Sequence, residues 1–120
     1  MQRPKPAGTA RVWRAFGASA RGFRGAFRGE AAFRQELAIA VVVFPLGLWL
    51  GKSGLEKAAL VAPMLLVLIV ELINSAIETV VDRVGLEHHT LSGLAKDLAS
   101  AAVLCAFLLL GLTWLLVLLF

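Results

Sequence analysis

Three long apolar stretches dominate the chain, at residues 37–51, 58–81 and 98–120, and short polar segments separate them. At a rise of about 1.5 Å per helical residue, the second and third are long enough to cross a hydrocarbon core about 30 Å thick. The first covers only about 22 Å and contains Pro45, so it crosses a bilayer only if its helix begins before Glu36, tilts, or thins the membrane. The pattern predicts an all-α integral membrane protein with transmembrane helices at about 34–51, 58–81 and 98–120.

A different pattern precedes these stretches, at about residues 9–29. On a helical wheel, one arc of about 100° holds the apolar side chains Val12, Trp13, Phe16, Ala20, Phe23 and Phe27. The rest of the wheel is rich in arginine, at positions 11, 14, 21, 24 and 28. This spacing predicts a basic amphipathic helix lying in the membrane surface, although Gly17, Gly22, Gly25 and Gly29 weaken it. The pattern alone also allows a surface anchor without any chemistry.

Composition supports the membrane class. Hydrophobic residues make up 59% of the 120 positions, whereas soluble domains contain about 45–50%. A soluble chain of this length cannot bury so much apolar surface in its own core. The chain is therefore expected to form a single membrane domain over residues 1–120. A soluble globular enzyme, a disordered protein and, with Cys105 as the single cysteine, a disulfide scaffold are excluded.

Charge predicts the orientation of the spans. Of the 12 lysines and arginines, eight lie between Arg3 and Arg34, whereas the first loop contains only Lys52 and Lys57. Because cytoplasmic loops are enriched in basic residues, the N-terminus is predicted to be cytoplasmic and Phe120 to lie on the outer face. The net charge of +4 adjoins membrane spans, so anionic lipid headgroups rather than nucleic acid are the expected partner.

The second apolar stretch contains a polar stripe. Its members stand at i, i+3, i+4, i+7 and i+11 and cover about 100° of one helix: Glu71, Asn74, Ser75, Glu78 and Asp82. A charged residue near the centre of a span costs at least about 2.5–3.5 kcal/mol, so the stripe must face protein or water. With three spans per chain, the simplest location is between subunits. Helix–helix hydrogen bonding, metal binding, proton relay and general-base catalysis all remain open from this pattern.

Further charged residues cluster near the predicted cytoplasmic border. They are Glu30 and Glu36 before the first span, and Glu87, Lys96 and Asp97 after the second. Carboxylate oxygens suit Mg²⁺, which keeps water ligands and bridges phosphates. His88 and His89 are adjacent, so they point to different faces of a helix and form a weak zinc motif.

Three segments carry a family resemblance. They read Glu-Ala-Ala-Phe-Arg-Gln-Glu at 30–36, Val-Glu-Leu-Ile-Asn-Ser-Ala-Ile-Glu-Thr-Val-Val-Asp-Arg-Val-Gly at 70–85, and Leu-Ser-Gly-Leu-Ala-Lys-Asp at 91–97, followed by Ala-Ser-Ala-Ala-Val at 99–103. In sequence and spacing they resemble the small prokaryotic diacylglycerol kinases, which are integral-membrane lipid kinases. The resemblance extends over most of the chain from Arg11, and the Glu-x-x-Asn-Ser-Ala-Ile-Glu-x-x-x-Asp block is highly specific.

The resemblance implies a homotrimer in the bacterial inner membrane. Each subunit would have an N-terminal surface helix and three spans, and the active sites would be shared between neighbouring subunits. The enzyme would move the γ-phosphate of MgATP to the hydroxyl of a diacylglycerol at the cytoplasmic face, which makes phosphatidic acid. No nucleic acid is implied.

The resemblance also implies residue roles. Glu71 would be the general base, Glu30 and Glu78 would hold Mg²⁺, and Asn74 and Asp82 would orient these groups. The residues implied in ATP binding are Arg11, Glu30, Glu78, Glu87, His89, Lys96 and Asp97. Those implied in binding the lipid substrate are Arg11, Ser19, Arg24, Phe33, Arg34, Gln35, Glu36, Glu71 and Ser100.

The depth of Glu71 is a geometric problem. If all of 58–81 lay in lipid, this carboxylate would be about 16 Å below the surface, where ATP cannot reach it. We therefore expect the span to lie lower, with Glu78 and Asp82 clear of the bilayer and Glu71 near the headgroups.

Several positions depart from the family pattern. Ala18 and Ala20 stand where bulky aromatic residues are common, His88 where a tyrosine is expected, and Leu94 where an arginine is common. These changes affect the contacts expected with the nucleotide and the lipid headgroup. They leave Glu30, Glu71 and Glu78 in place. Activity is therefore expected to persist, while the nucleotide preference need not match that of the family.

Two other functions remain alternatives. A kinase for undecaprenol or another lipid alcohol would use the same glutamates with a different lipid pocket. An oligomeric cation or proton conduit would explain the polar stripe, but it would give no role to Glu30, Lys96 and Asp97. Lipid-dependent ATP hydrolysis separates the kinases from the conduit.

Overall fold

The fold is built only from helices and their short connections in the computed structural model, which describes residue 4 and residues 7–120. Four helices follow one another: α1 (Gly8–Gly29), α2 (Ala31–Leu50), α3 (Gly54–Val84) and α4 (Thr90–Leu119). Three of them, α2, α3 and α4, are long and apolar enough to cross a membrane. The predicted all-α architecture with three helices capable of spanning a bilayer is therefore confirmed.

The helices are longer than the apolar stretches in the sequence. Helix α2 begins at Ala31, before Glu36, and α4 begins at Thr90, so that Lys96 and Asp97 are helical. A helix continues for as long as its backbone hydrogen bonds are satisfied, whereas hydropathy marks only the part that contacts an apolar environment.

Side-chain caps begin two of these helices. The Ser53 hydroxyl accepts a hydrogen bond from the Glu56 amide at 3.1 Å at the start of α3, and His89 Nδ1 accepts one from the Leu91 amide at 3.0 Å at the start of α4. Both bonds satisfy first-turn amides that have no partner within the helix.

Helix α3 packs against both α2 and α4. The core consists of small and aliphatic side chains from all three helices: Ala40, Met64, Val67, Ala106 and Leu110. Gly47 permits the close approach of α2 to α3, because a Cβ there would lie 3.1 Å from the Leu60 Cβ and 3.1 Å from a Val61 methyl group. The central position of α3 places its polar stripe beside α2 at one end of the bundle.

A hydrogen bond from a tryptophan side chain joins α4 to α3. The indole Nε1–H of Trp114 donates to the Leu60 carbonyl at 2.9 Å, across 54 residues of sequence. Leu60 itself is fully buried, so this bond lies inside the helix–helix contact.

Trp114→Phe is expected to lower the free energy of unfolding by about 1 kcal/mol, because it keeps an aromatic ring and removes the donor. Reversible unfolding of the purified protein in mixed detergent micelles measures this difference. Trp49→Phe is the matched control, since Trp49 is 78% exposed. Equal effects of the two substitutions would show that the Trp114 bond contributes nothing.

Helix α1 is attached to the bundle near its C-terminal end. Glu30 has an extended backbone (φ −122°, ψ 108°) and turns the chain from α1 into α2. The Phe23 and Phe33 rings lie 6.5 Å apart, and Arg34 Nη1 donates to the carbonyls of Phe27 at 2.7 Å and Arg28 at 3.3 Å. These contacts fix the end of α1 and so define the position of the helix relative to α3.

The apolar side chains of α1 are largely exposed in the single chain. More than half of the surface is accessible at Val12, Trp13, Phe16, Phe23 and Phe27. A location in the membrane surface would cover these groups, and this location of α1 stays a prediction.

Candidate functional site

The polar stripe of α3 runs from a buried end to an exposed end. Glu71 is only 4% exposed, Asn74, Ser75 and Glu78 are half-buried, and Asp82 is exposed near the end of the helix. The helical spacing of these residues places them along one side, as the sequence predicted. A charged group at the buried end can react in a partly dehydrated setting, while the exposed end remains accessible to polar ligands.

At the buried end of this stripe, Glu71 lies within electrostatic range of three other carboxylates. Glu36, on α2, is 6% exposed, and its carboxyl group lies close to that of Glu71. Glu30, at the turn between α1 and α2, and Glu78, seven residues further along α3, are also within electrostatic range of Glu71. We call these residues the carboxylate cluster: Glu30, Glu36, Glu71 and Glu78. Such a concentration of negative charge favours a cation or a proton at this place.

Several oxygen atoms at the cluster are buried without a partner in the described part of the chain. They are Glu36 Oε2, Asn74 Oδ1 and Ser75 Oγ. The amide nitrogen of Asn74 is engaged, since it donates to Glu78 Oε1 at 3.3 Å. A buried polar atom without a partner costs about 1–3 kcal/mol, so these atoms indicate a ligand or another subunit at this surface.

The oxygen donors of the cluster fit Mg²⁺ better than zinc. Across residue 4 and residues 7–120, no three His, Cys, Asp or Glu side chains are placed to hold a metal ion together. Zinc sites need at least three protein ligands, whereas Mg²⁺ in kinase sites takes one or two carboxylates and completes its shell with phosphate and water. Glu30 and Glu78 can supply such carboxylates.

A cleft of about 460 Å³ lies between α1 and α3, and we call it the α1–α3 cleft. Its lining is Ser19, Gly22, Phe23, Gly25, Ala26 and Glu30 on one side and Leu72, Ser75, Ala76 and Thr79 on the other. Its volume is in the range of small-molecule binding sites, about 300–1,000 Å³. Glu30 belongs both to this cleft and to the carboxylate cluster, so a ligand in the cleft lies beside the cluster.

A smaller pocket of about 230 Å³ lies at the turn between α3 and α4, and we call it the α3–α4 pocket. It is lined by Val81, Asp82, Gly85, Leu86, Glu87, His88, His89, Ser92, Gly93 and Lys96. Lys96 Nζ lies 2.8 Å from Asp82 Oδ1, and the two side chains are 42% and 48% exposed. A pair this exposed contributes little to stability, and its value lies in holding the ammonium group at the pocket. Lys96 is also within electrostatic range of Glu78.

The structure brings together two groups of the residues that the sequence singled out. Glu30, Glu36, Glu71 and Glu78 form the cluster, with Asn74 bonded to Glu78. Asp82, Glu87, His89 and Lys96 line the α3–α4 pocket, and Ser19 lines the α1–α3 cleft.

Other singled-out residues lie apart from these groups in a single subunit. Exposed side chains that belong to the lining of neither cavity are Arg11, Arg24, Gln35, Asp97 and Ser100. Phe33 is 2% exposed and packs beside Phe23, while Arg34 binds the last carbonyls of α1. In this arrangement Phe33 and Arg34 support the position of α1.

Sequence reasoning did not assign several residues that the structure places at the site. Ser75 was recognised in the stripe, yet it also lines the cleft, together with Leu72, Ala76 and Thr79. The sequence could have indicated these residues, because they follow Glu71 at adjacent positions on one face of the helix. Nothing in the sequence indicated that Gly22 and Gly25 line the cleft, because a glycine in an amphipathic helix shows only a loss of helix propensity.

Comparison with known proteins gives one consistent result. Residues 17–118 match the family described as prokaryotic diacylglycerol kinase. The chain is 51% identical over 107 residues to a diacylglycerol kinase of Pseudomonas aeruginosa, covering 89% of this chain and 87% of that protein. It is 46% identical over 107 residues to a diacylglycerol kinase of Escherichia coli K12, covering 89% and 88%. A Haemophilus influenzae diacylglycerol kinase is 46% identical over 96 residues, covering 80% and 81%.

Proposed function

This chain belongs to the prokaryotic diacylglycerol kinase family, and from that premise we propose that it transfers the γ-phosphate of ATP to a diacylglycerol with Glu71 as the general base. The chain is thus an enzyme, a lipid kinase. The observation that supports the role of Glu71 best is its position. It is the most buried carboxylate of the cluster and lies within electrostatic range of Glu30, which lines the α1–α3 cleft.

In the reaction, Glu71 accepts the proton of the lipid hydroxyl while the hydroxyl oxygen bonds to the γ-phosphorus of ATP. The bond between that phosphorus and the bridging oxygen to the β-phosphate breaks, and ADP leaves. A positioned general base contributes about 10²–10⁴-fold to such a rate. Burial of Glu71 keeps competing water away from the carboxylate, and the cleft admits the lipid from the side of α1 and α3.

The remaining residues bind and align the nucleotide. A Mg²⁺ ion that accompanies ATP neutralises phosphate charge, and Glu30 and Glu78 are the residues that would hold it. Asn74 orients Glu78 through its 3.3 Å hydrogen bond. Asp82 orients Lys96, whose ammonium group can contact a phosphate at the α3–α4 pocket, where Glu87 and His89 also lie.

The residues that lie apart in one subunit are proposed to reach the site in a homotrimer. Arg11, Arg24, Gln35, Asp97 and Ser100 are exposed, and the unpartnered oxygens of Asn74 and Ser75 lie on the stripe that a neighbouring subunit would cover. Shared sites in the bacterial inner membrane, with the N-terminus and nucleotide at the cytoplasmic face, are consistent with the basic N-terminal segment.

Phosphate transfer from labelled ATP tests the proposal, with dioleoylglycerol and a polyprenol offered side by side in mixed micelles. We expect labelled phosphatidic acid as the main product. Preferred labelling of the polyprenol would retain the catalytic residues and assign the enzyme to lipid-alcohol phosphorylation. If neither lipid is labelled while the protein is folded and oligomeric, the proposed activity is wrong.

A further inference from the structure

The α1–α3 cleft has two unlike walls. The α3 wall carries hydroxyl and aliphatic side chains, including Ser75, whose Oγ is buried without a partner in the described chain. The α1 wall is formed largely by residues with little or no side chain: Ser19, Gly22, Gly25 and Ala26. The cleft is therefore wide because the α1 residues along it have small side chains or none.

Neither cleft glycine is required by the fold of a single subunit. A Cβ atom built at Gly22 or Gly25 meets no other atom within 4 Å. Among glycines of the described chain only Gly8 has a positive φ, so both positions have backbone angles that any residue adopts. Glycine also lowers helix stability relative to alanine. Within one subunit, close packing and backbone strain thus give no reason for glycine at these two positions.

The space beside the two glycines also borders Glu30, a member of the carboxylate cluster. Glu30 lines the same cleft and is within electrostatic range of Glu71. A diacylglycerol carries an ester on the carbon beside its free hydroxymethyl group, so it is wide close to the reacting oxygen. A monoacylglycerol with a free hydroxyl at that carbon is narrower at the same place.

We propose that Gly22 and Gly25 determine the acceptor specificity of this enzyme, by leaving room for the second ester-linked chain of a two-chain lipid beside the reacting hydroxyl. This proposal rests on the proposed function. The open space on the α1 wall receives the ester and the first carbons of that chain, opposite Ser75 and Thr79 of the α3 wall. A larger side chain at either glycine would fill the space of the second acyl chain of the lipid. It would leave the carboxylate cluster unchanged.

Gly25→Leu and Gly22→Leu test this, with dioleoylglycerol and 1-monooleoylglycerol as acceptors. Since misfit of a methylene or two in a pocket changes kcat/KM by about 10–200-fold, each variant is expected to lose about tenfold or more for dioleoylglycerol and less than about threefold for monooleoylglycerol. Gly25→Ala should give a smaller change in the same direction. Gly17→Leu is the matched control: it adds the same side chain to α1 outside the cleft, where its Cβ meets only the end of Arg21 at 3.5 Å.

Other outcomes overturn the inference. Equal losses for both acceptors, or an altered oligomeric state by crosslinking in micelles, would mean that the glycines serve folding or subunit contact. An unchanged ratio of the two kcat/KM values in an active enzyme would also exclude the proposed specificity role. Absence of transfer to any lipid by the unsubstituted protein would instead contradict the proposed function.

Discussion

Glu71→Gln is expected to abolish phosphoryl transfer and to leave MgATP binding intact. Glutamine has the shape of glutamate but cannot accept the proton of the lipid hydroxyl, so the rate should fall by about 10²–10⁴-fold, the usual contribution of a general base. Glu71 is nearly buried among other carboxylates, and the substitution removes one negative charge from that cluster. Nucleotide binding should therefore not weaken through electrostatic repulsion.

Two measurements on the same preparation distinguish a role of Glu71 as general base from a role in holding the metal ion. Single-turnover transfer of labelled phosphate to dioleoylglycerol reports the chemical step, and equilibrium binding of a fluorescent ATP analogue with Mg²⁺ reports the nucleotide site. Glu56→Gln is the control, since Glu56 lies at the opposite end of α3. Loss of nucleotide binding in Glu71→Gln, in parallel with loss of transfer, would assign Glu71 to holding the metal ion.

Glu78→Gln is expected to raise the Mg²⁺ concentration needed for activity by at least about 10–100-fold, because losing even a group that only supports a metal ligand has an effect of that size. The amide keeps an oxygen that can accept the hydrogen bond from Asn74, now 3.3 Å from Glu78 Oε1, so the change removes charge with little change of shape. Activity measured against Mg²⁺ at fixed ATP should recover towards the unsubstituted value at high Mg²⁺.

The contrast with Glu71→Gln makes this prediction specific. Added Mg²⁺ cannot replace a proton acceptor, so Glu71→Gln should stay inactive at every Mg²⁺ concentration. If Glu78→Gln shows an unchanged Mg²⁺ dependence and only a lower maximal rate, Glu78 aligns substrates and does not hold the ion. The dependence of the rate on Mg²⁺ concentration distinguishes these two outcomes.

The fold separates the functional residues from the apolar part of the bundle. Pro45 and the apolar lengths of α2, α3 and α4 belong to the part that can cross a membrane, while the cluster, the cleft and the α3–α4 pocket gather near the other end. Lys96 is within electrostatic range of Glu78, so the pocket and the cluster can act on one extended ligand. A nucleotide is a ligand of this kind, with phosphates that lie apart from its base.

Local periodicity was sufficient to predict much of this protein. The three apolar stretches predicted the helices that can span a membrane, because a bilayer core sets the length of apolar helix needed to cross it. The spacing of Glu71, Asn74 and Glu78 predicted their common side of α3, because the α-helix fixes that geometry without reference to any other part of the chain. Hydropathy placed the helix ends less well, because caps such as Ser53 and His89 determine where they fall.

Contacts between helices were decided only by the tertiary structure. The approach of Glu36 to Glu71, the bond from Lys96 to Asp82 and the bond from Trp114 to Leu60 join residues far apart in sequence. The α1–α3 cleft likewise depends on how α1 leaves the bundle at Glu30, where Arg34 holds its last carbonyls. Such contacts follow from how helices cross and pack against one another, which depends on many side chains at once and leaves no periodic signal in the sequence of either helix.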